Sequence, residues 1–205
     1  MNVLMINGSP RKDGNTALAV EEMKQVFEAE GITVDVVNIG TADIHGCIAC
    51  GTCRKTGKCI FDDIVNELAP KLEAADGLVL ASPVYYASAN STLTAALDRL
   101  FYSARFDKTM KVGASVAVAR RGGCSATFDQ LNKYLTISGM AVASSQYWNN
   151  IHGKEQGEAA EDAEGLQTMR TLARNMAFLI KSIALGKEQY GLPEKEEQIH
   201  TNYVR

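Results

Sequence analysis

The stretch Met1–Thr16, which reads MNVLMINGSPRKDGNT, decides the fold of this chain. Residues 3–6 form an uninterrupted apolar run, which is typical of a strand buried on both faces of a parallel sheet. A polar loop with Gly8 and Gly14 follows, and apolar residues then recur at helical spacing. Free N–H groups and the helix dipole favour an anion at the start of such a helix. The stretch therefore predicts a phosphate site, and the alternative is an ordinary strand-to-helix turn.

The loop matches neither of the two common nucleotide-binding patterns. A Walker loop needs Lys-Ser or Lys-Thr after its second glycine, whereas Asn15 and Thr16 follow Gly14. The dinucleotide pattern needs three glycines, which Gly8 and Gly14 do not supply. Residues 8–16, Gly-Ser-Pro-Arg-x-x-Gly-Asn-Thr, resemble the FMN-phosphate loop of the NAD(P)H-dependent FMN reductase family, which has the flavodoxin-like fold. The resemblance implies these FMN-binding residues: Ser9, Arg11, Gly14, Asn15 and Thr16.

Strand and helix patterns alternate along the chain. Strand-like apolar runs lie at 3–6, 32–39, 77–81, 112–119 and 139–146. Parallel strands need crossover connections, so this alternation predicts a parallel sheet with helices on both faces. With the family resemblance, we expect a flavodoxin-like three-layer α/β sandwich whose five-stranded parallel sheet has the order 2-1-3-4-5. We expect residues 1–185 to form one FMN-binding domain, with a cysteine-rich loop at 44–61, and residues 186–205 to form a charged tail.

A second polar loop follows the third predicted strand. Ligands of such sheets bind beyond the carboxyl ends of the strands, so this loop should meet the phosphate loop. Tyr85 and Tyr86 offer flat surfaces on which an isoalloxazine ring can lie, although two tyrosines can also simply seal the top of the sheet. Residues 82–86, Ser-Pro-Val-Tyr-Tyr, with Leu-Asp-Arg at 97–99, resemble the second flavin loop of the same family and its following helix.

A third loop follows the fourth predicted strand and begins with Arg120 and Arg121. A cation there would stabilise the anionic reduced flavin, although surface arginines need no special explanation. From the second and third loops we predict these further cofactor-binding residues: Pro83, Val84, Tyr85, Tyr86, Asn90, Arg120, Arg121, Gly122 and Gly123.

A cysteine motif, C-x2-C-x2-C-x5-C, lies between residues 47 and 59. Closely spaced thiolates can surround one compact metal centre. Zinc is a rival, although its structural sites usually have two Cys pairs separated by a longer insert. A metal-free loop of reactive thiols, or an opportunistic disulfide, is also open. The spacing resembles the motif of the iron–sulfur flavoproteins, a branch of the same family, which implies a [4Fe-4S] cluster on Cys47, Cys50, Cys53 and Cys59. Cys124 lies outside the motif.

Composition sets limits on partners and location. The chain has 205 residues and a net charge of −3, which gives no reason to expect nucleic acid or an anionic membrane as a partner. The sequence has no apolar run of about 20 residues and no signal-peptide pattern, so we expect a cytoplasmic protein. The loop with Trp148 and His152 could cover the flavin, line a substrate pocket or be structural.

The resemblance implies an FMN-dependent oxidoreductase of the iron–sulfur flavoprotein type. Electrons would pass from NAD(P)H or ferredoxin through FMN and the cluster to a small-molecule or redox-protein acceptor. Flavin N5 would carry the chemistry, so no catalytic side chain is predicted. The alternatives are a cluster-free NAD(P)H reductase of quinones, azo or nitro compounds or flavins, and a flavodoxin-like electron carrier without its own substrate. Family analogy favours a homodimer or homotetramer.

Overall fold

The computed structural model describes residues 1–201 and 203. Its seven strands are β1 Asn2–Asn7, β2 Thr33–Asn38, β3 Gly77–Tyr85, β4 Ser88–Ala89, β5 Val112–Ala119, β6 Ala141–Val142 and β7 Asn150–His152. Its six α-helices are α1 Asn15–Ala29, α2 Thr52–Thr56, α3 Ile64–Ala74, α4 Ser91–Ser103, α5 Cys124–Ile137 and α6 Ala163–Tyr190. A 3-10 helix at Glu158–Glu161 precedes α6, which itself continues into the segment 186–205 that we expected to be a tail.

The sheet has the order β2-β1-β3-β5-β6, so the predicted five-stranded sheet in the order 2-1-3-4-5 is wrong. These five strands pair in parallel, as predicted. The two additional strands are short: β4 turns back antiparallel on β3, and β7 pairs in parallel with the end of β5. The predicted strand at 139–146 narrows to the two residues of β6, while β3 continues past Ser82 and Pro83.

Helices cover both faces of the sheet, which confirms the predicted α/β sandwich. Val3 and Met5 of β1 are buried on the face covered by α1 and α6. Leu4 and Ile6 are buried on the opposite face, among side chains of α3, α4 and α5. This alternation explains the uninterrupted apolar run of β1, because both faces of a central parallel strand lie in the core. None of the helices in the described part of the chain is long and apolar enough to cross a membrane.

The segment that follows β2 lies directly against the loop that follows β1. A Cβ atom at Gly40 would lie 2.0 Å from the carbonyl carbon of Ser9 and 2.4 Å from the nitrogen of Pro10. Only glycine permits this close approach of two backbones. The chain therefore reaches the predicted phosphate loop just before it enters the cysteine-rich loop.

Candidate functional site

A cavity of about 150 Å³ lies where the loops after β1, β3 and β5 meet. The position agrees with the rule that ligands bind beyond the carboxyl ends of parallel strands. These predicted cofactor-binding residues line it: Ser9, Arg11, Asn15, Thr16, Pro83, Val84, Tyr85 and Arg120. Four residues that we did not predict complete the lining: Val118, Ala119, Gly153 and Lys154. We call this space the loop cavity.

The loop cavity has the electrostatics of an anion site. Helix α1 begins after Gly14, which has no side chain to cap the first N–H groups of the helix. The exposed cations Arg11, Arg120 and Lys154 line the same space. Three cations beside an uncapped helix N-terminus suit a phosphate group. A Cβ at Gly14 would lie 2.9 Å from the Cβ of Arg11, so a larger residue would displace that arginine.

The side chain of Asn15 binds protein rather than facing the loop cavity freely. Its amide nitrogen donates to the Glu155 carbonyl oxygen at 2.9 Å. Its amide oxygen accepts hydrogen bonds from the main-chain N–H groups of Gly157, at 3.1 Å, and Ala159, at 3.2 Å. Asn15 therefore connects the start of α1 to the loop before α6. Because these bonds occupy its side chain, the main-chain N–H of Asn15 is the group that it can offer to a ligand at the helix start.

The turn between β3 and β4 is strained. Tyr86 and Ala87 have φ values of 51° and 57°, in the left-handed region, which costs a non-glycine residue about 1–2 kcal/mol. The ring of Tyr86 is fully exposed, whereas Tyr85 is partly covered. A Cβ at Gly123 would lie 2.8 Å from the Cα of Ala87, so the loop after β5 packs against this turn. Strain of this kind is typical of ligand-binding segments.

Six predicted cofactor-binding residues do not line the loop cavity. Asn90 is buried and caps α4, where its side-chain oxygen accepts the N–H of Thr92 at 2.7 Å. Its own N–H donates to the Ser82 hydroxyl at 2.8 Å. The other five lie close by, at the helix start, on the strained turn and on the loop after β5: Gly14, Tyr86, Arg121, Gly122 and Gly123.

The four cysteines of the motif line a second cavity, of about 400 Å³, which we call the cysteine cavity. Cys47 and Cys50 are exposed, whereas Cys53 and Cys59 are partly buried. All five cysteines of the chain are free, so the structure contains no disulfide among them. Within residues 1–201 and 203, no three His, Cys, Asp or Glu side chains are already arranged to hold a metal ion. The four thiols thus line the same cavity, but they are not yet arranged around one position that a metal ion could occupy.

Arg99 of α4 forms one wall of the cysteine cavity, and its side chain is fully buried. Its two terminal nitrogens bind both carboxylate oxygens of Asp63, at 2.7 and 2.9 Å. Its Nε–H donates to the Sγ of Cys59 at 3.2 Å. Further bonds reach the main-chain oxygens of His45, at 3.1 Å, and Phe61, at 3.3 Å. The guanidinium also lies 4.9 Å from the centre of the Phe61 ring, within range of a cation–π interaction.

We did not predict a site role for Arg99. The available signal is its position in α4, three residues after buried Ala96 and four before buried Ser103, where a charge is unexpected. Desolvation lowers the pKa of Arg99, but the hydrogen bonds to Asp63 and Cys59 outweigh it and raise that pKa above its ordinary value. The arginine is therefore charged, and its charge is compensated inside the protein.

Cys124 lies at the start of α5, near His152 at the end of β7. Its Sγ lies 3.9 Å from Nε2 of His152, and burial raises the pKa of the thiol. The other ring nitrogen of His152 lies 3.5 Å from Asp162, whose same carboxylate oxygen accepts the His152 main-chain N–H at 2.7 Å. Asp162 also caps α6 through the N–H of Gly165. Asp162, which caps α6, thus also holds His152 in place. His152 directly precedes Gly153 and Lys154, which line the loop cavity.

Comparisons with known proteins identify the family and the fold of this chain. Residues 1–155 match the family described as NADPH-dependent FMN reductase. An iron-sulfur flavoprotein of Methanocaldococcus jannaschii is 35% identical over 191 residues, which cover 89% of this chain and 99% of the relative. An iron-sulfur flavoprotein of Methanosarcina thermophila is 31% identical over 193 residues, covering 92% of this chain and 100% of the relative. A flavodoxin from the Archaea has the same fold, with a TM-score of 0.59 at 16% identity, covering 88% of this chain and 99% of the flavodoxin.

Proposed function

This chain belongs to the NADPH-dependent FMN reductase family and is an FMN-dependent oxidoreductase with a flavodoxin-like fold, and we propose that it works as an iron–sulfur flavoprotein. The resemblance inferred from the phosphate loop is thereby confirmed at the level of the family. In the proposed reaction, electrons pass from NAD(P)H or reduced ferredoxin to a small-molecule or redox-protein acceptor. Both cofactors would lie in the same domain, which we propose spans residues 1–185.

The loop cavity supports FMN binding. The uncapped start of α1 and the side chains of Arg11 and Arg120 would neutralise the phosphate, because they place positive charge at the cavity. Lys154 adds less, because it forms an ion pair with Glu155 at 2.8 Å. The ring of Tyr85 would contact the flavin, while Pro83 holds the backbone of β3 beside it. FMN, when bound, exchanges either a pair of electrons or single electrons. The work of these residues is to hold the cofactor and to shape the charge around it.

The four thiols that line the cysteine cavity support the proposal of a bound cluster. Its four thiols come from one short segment, and thiolates are the usual ligands of a [4Fe-4S] cluster. Arg99 lines the same cavity, and its Nε–H, which donates to the Sγ of Cys59, would stabilise a thiolate there. A [4Fe-4S] cluster, when bound, carries single electrons. Side-chain and loop movements would bring these thiols, which already line one cavity, to a single centre.

The observation that carries this proposal is that all four motif cysteines line one cavity. The test is an anaerobic purification with assays for iron, sulfide and FMN. We expect about four irons, four sulfides and one FMN per chain. Cys50→Ala should lose the iron and keep the FMN. Cys124→Ala is the matched control, because Cys124 lies outside the cysteine cavity, and it should keep both cofactors. Wild-type protein with FMN but without iron would refute the proposed cluster.

A second candidate is a cluster-free NAD(P)H reductase of quinones, azo or nitro compounds or flavins. The family match favours it, because its description mentions NADPH and FMN only. Iron-free protein that oxidises NAD(P)H with a quinone at the rate of the iron-containing protein would support this candidate. Rates that depend on the iron content would contradict it.

We also propose that the protein is a homodimer or homotetramer. Phe178 and Leu185 of α6 and Ile137 of α5 are large apolar residues with most of their surface exposed. Contact with a second copy would bury such residues. Light scattering during gel filtration should give two or four times the mass of the chain, and the mass of one chain would refute the proposal.

A further inference from the structure

We propose that Arg99 is the positioning residue of the cysteine cavity. Its guanidinium would fix the Cys59 thiol and both ends of the cysteine-rich loop before iron is bound, and it would set the charge beside the assembled cluster. This inference rests on the proposed function only in its second half, because the contacts that carry the first half join protein atoms alone.

All hydrogen-bonding capacity of Arg99 is used. A guanidinium has five N–H groups in a fixed plane, and five acceptors surround this one. Two of the five are the carboxylate oxygens of Asp63, which compensate the charge. The other three belong to His45, Cys59 and Phe61, all within the cysteine-rich loop. An arginine that served only as the ion-pair partner of Asp63 would not need these three loop contacts.

Arg99 contacts the cysteine-rich loop near both of its ends. His45 lies two residues before Cys47, the first cysteine of the motif, and Phe61 lies two residues after Cys59, the last one. The rings of His45 and Phe61 also stack, with centroids 4.8 Å apart. Arg99 therefore closes the base of the loop on α4, while Cys47 and Cys50 stay exposed to solvent and to incoming iron. Lysine could not replace it, because an ammonium has three donors at one point and no planar fork.

The direct bond to sulfur has an electrostatic consequence. Hydrogen bonds and positive charge at ligand sulfurs stabilise the reduced, more negative state of a cluster and raise its reduction potential. Arg99 acts from a buried position, where screening by water and salt is weak. Arg54, the other arginine of the cysteine cavity, is exposed and forms part of the short helix α2. Its charge is screened, so it serves as a matched control.

The experiment uses the full-length chain with three variants: Arg99→Gln, Arg99→Lys and Arg54→Gln. The first readout is hydrogen exchange of the peptides spanning residues 44–61 in reduced, iron-free protein. We expect exchange about tenfold faster or more in both Arg99 variants, because neither glutamine nor lysine has the planar set of donors that reaches all the loop acceptors at once. Peptides from β1 and β3 should exchange at wild-type rates, and Arg54→Gln should match the wild type throughout.

The second readout is the reduction potential of the cluster after anaerobic reconstitution with ferrous iron and sulfide. We expect Arg99→Gln to have a more negative potential than the wild type, Arg99→Lys to lie between them, and Arg54→Gln to be unchanged. Should Arg99→Gln fail to fold, judged by circular dichroism, Arg99→Lys keeps the charge and decides the first readout.

Two results would overturn the proposal: loop exchange within about twofold of the wild type in Arg99→Lys, or equal effects of Arg54→Gln and Arg99→Gln on exchange or potential. A wild-type protein that assembles no cluster under these conditions would instead refute the proposed function. Hydrogen exchange would in that case still decide whether Arg99 positions the loop.

Discussion

The tie between Asn15 and the loop before α6 gives the sharpest test of the structure. Replacing Asn15 by Ala removes three hydrogen bonds. Ala159 is fully buried, so its N–H would lose its partner away from water, which costs about 1–3 kcal/mol. Glu155 and Gly157 are exposed, so water replaces the side chain there and each lost bond costs about 0.5–1 kcal/mol. We therefore expect Asn15→Ala to lower the free energy of unfolding by about 2–5 kcal/mol.

Urea denaturation followed by circular dichroism measures this loss, provided that the slope of the transition stays constant. Asn175→Ala is the matched control, because that side chain makes one exposed bond, to the Ser144 carbonyl oxygen at 2.7 Å. Its cost should stay below about 1 kcal/mol. Asn15→Asp keeps the acceptor for both N–H groups and should lose less stability than Asn15→Ala. An Asn15→Ala protein as stable as the Asn175→Ala control would refute the reasoning. So would a loss of FMN affinity without any loss of stability, because the side chain would then act on the phosphate.

Three further predictions concern separate features. Ser9→Ala combined with Thr16→Ala should weaken FMN binding at least about tenfold in fluorescence titrations, because both residues line the loop cavity. An unchanged affinity would contradict the proposed phosphate site. Ala87→Gly should raise the free energy of unfolding by about 0.5–1 kcal/mol, because relief of the left-handed strain exceeds the added entropy of glycine, and a destabilised variant would show that the turn is unstrained. The raised pKa of Cys124 leaves less thiolate at pH 8, so peptide-resolved alkylation should reach its half-maximal rate at a higher pH than for free cysteine. Alkylation of Cys124 at the rate of free cysteine would mean that the contact with His152 outweighs burial.

The main features of the fold could be predicted because they depend on local patterns. The apolar run of β1 predicted its burial, and the carboxyl-edge rule predicted that the loops after β1, β3 and β5 would meet. Strand β4 could not be predicted, because its turn has Tyr86 and Ala87 at left-handed positions where Asn-Gly is the usual signal. Strand β7 has three residues, too few for a periodic pattern.

The roles of two side chains lay beyond the sequence for a different reason. The partners of Asn15 lie at least 140 positions further along the chain, so only the folded structure reveals that its side chain is already bound. The partners of Arg99 come from segments 36 to 54 residues away, and a buried arginine is rare enough that an exposed one is the better expectation. Long-range partners of polar side chains leave no periodic trace in a sequence.

The close approach at Gly40 has a consequence for how this architecture can be modified. The path of the chain after β2 is fixed, because the backbone of Gly40 packs against that of Ser9. The chain returns to the core at α3. The intervening residues form an insertion whose starting point is supplied by its neighbours. Replacing that insertion by a cysteine-free linker would thus change the chain at one site and leave the proposed phosphate loop in place. A protein engineer could therefore replace the cysteine-rich loop while keeping Gly40, provided that Arg99, whose bonds to His45, Cys59 and Phe61 would be lost, is replaced with it.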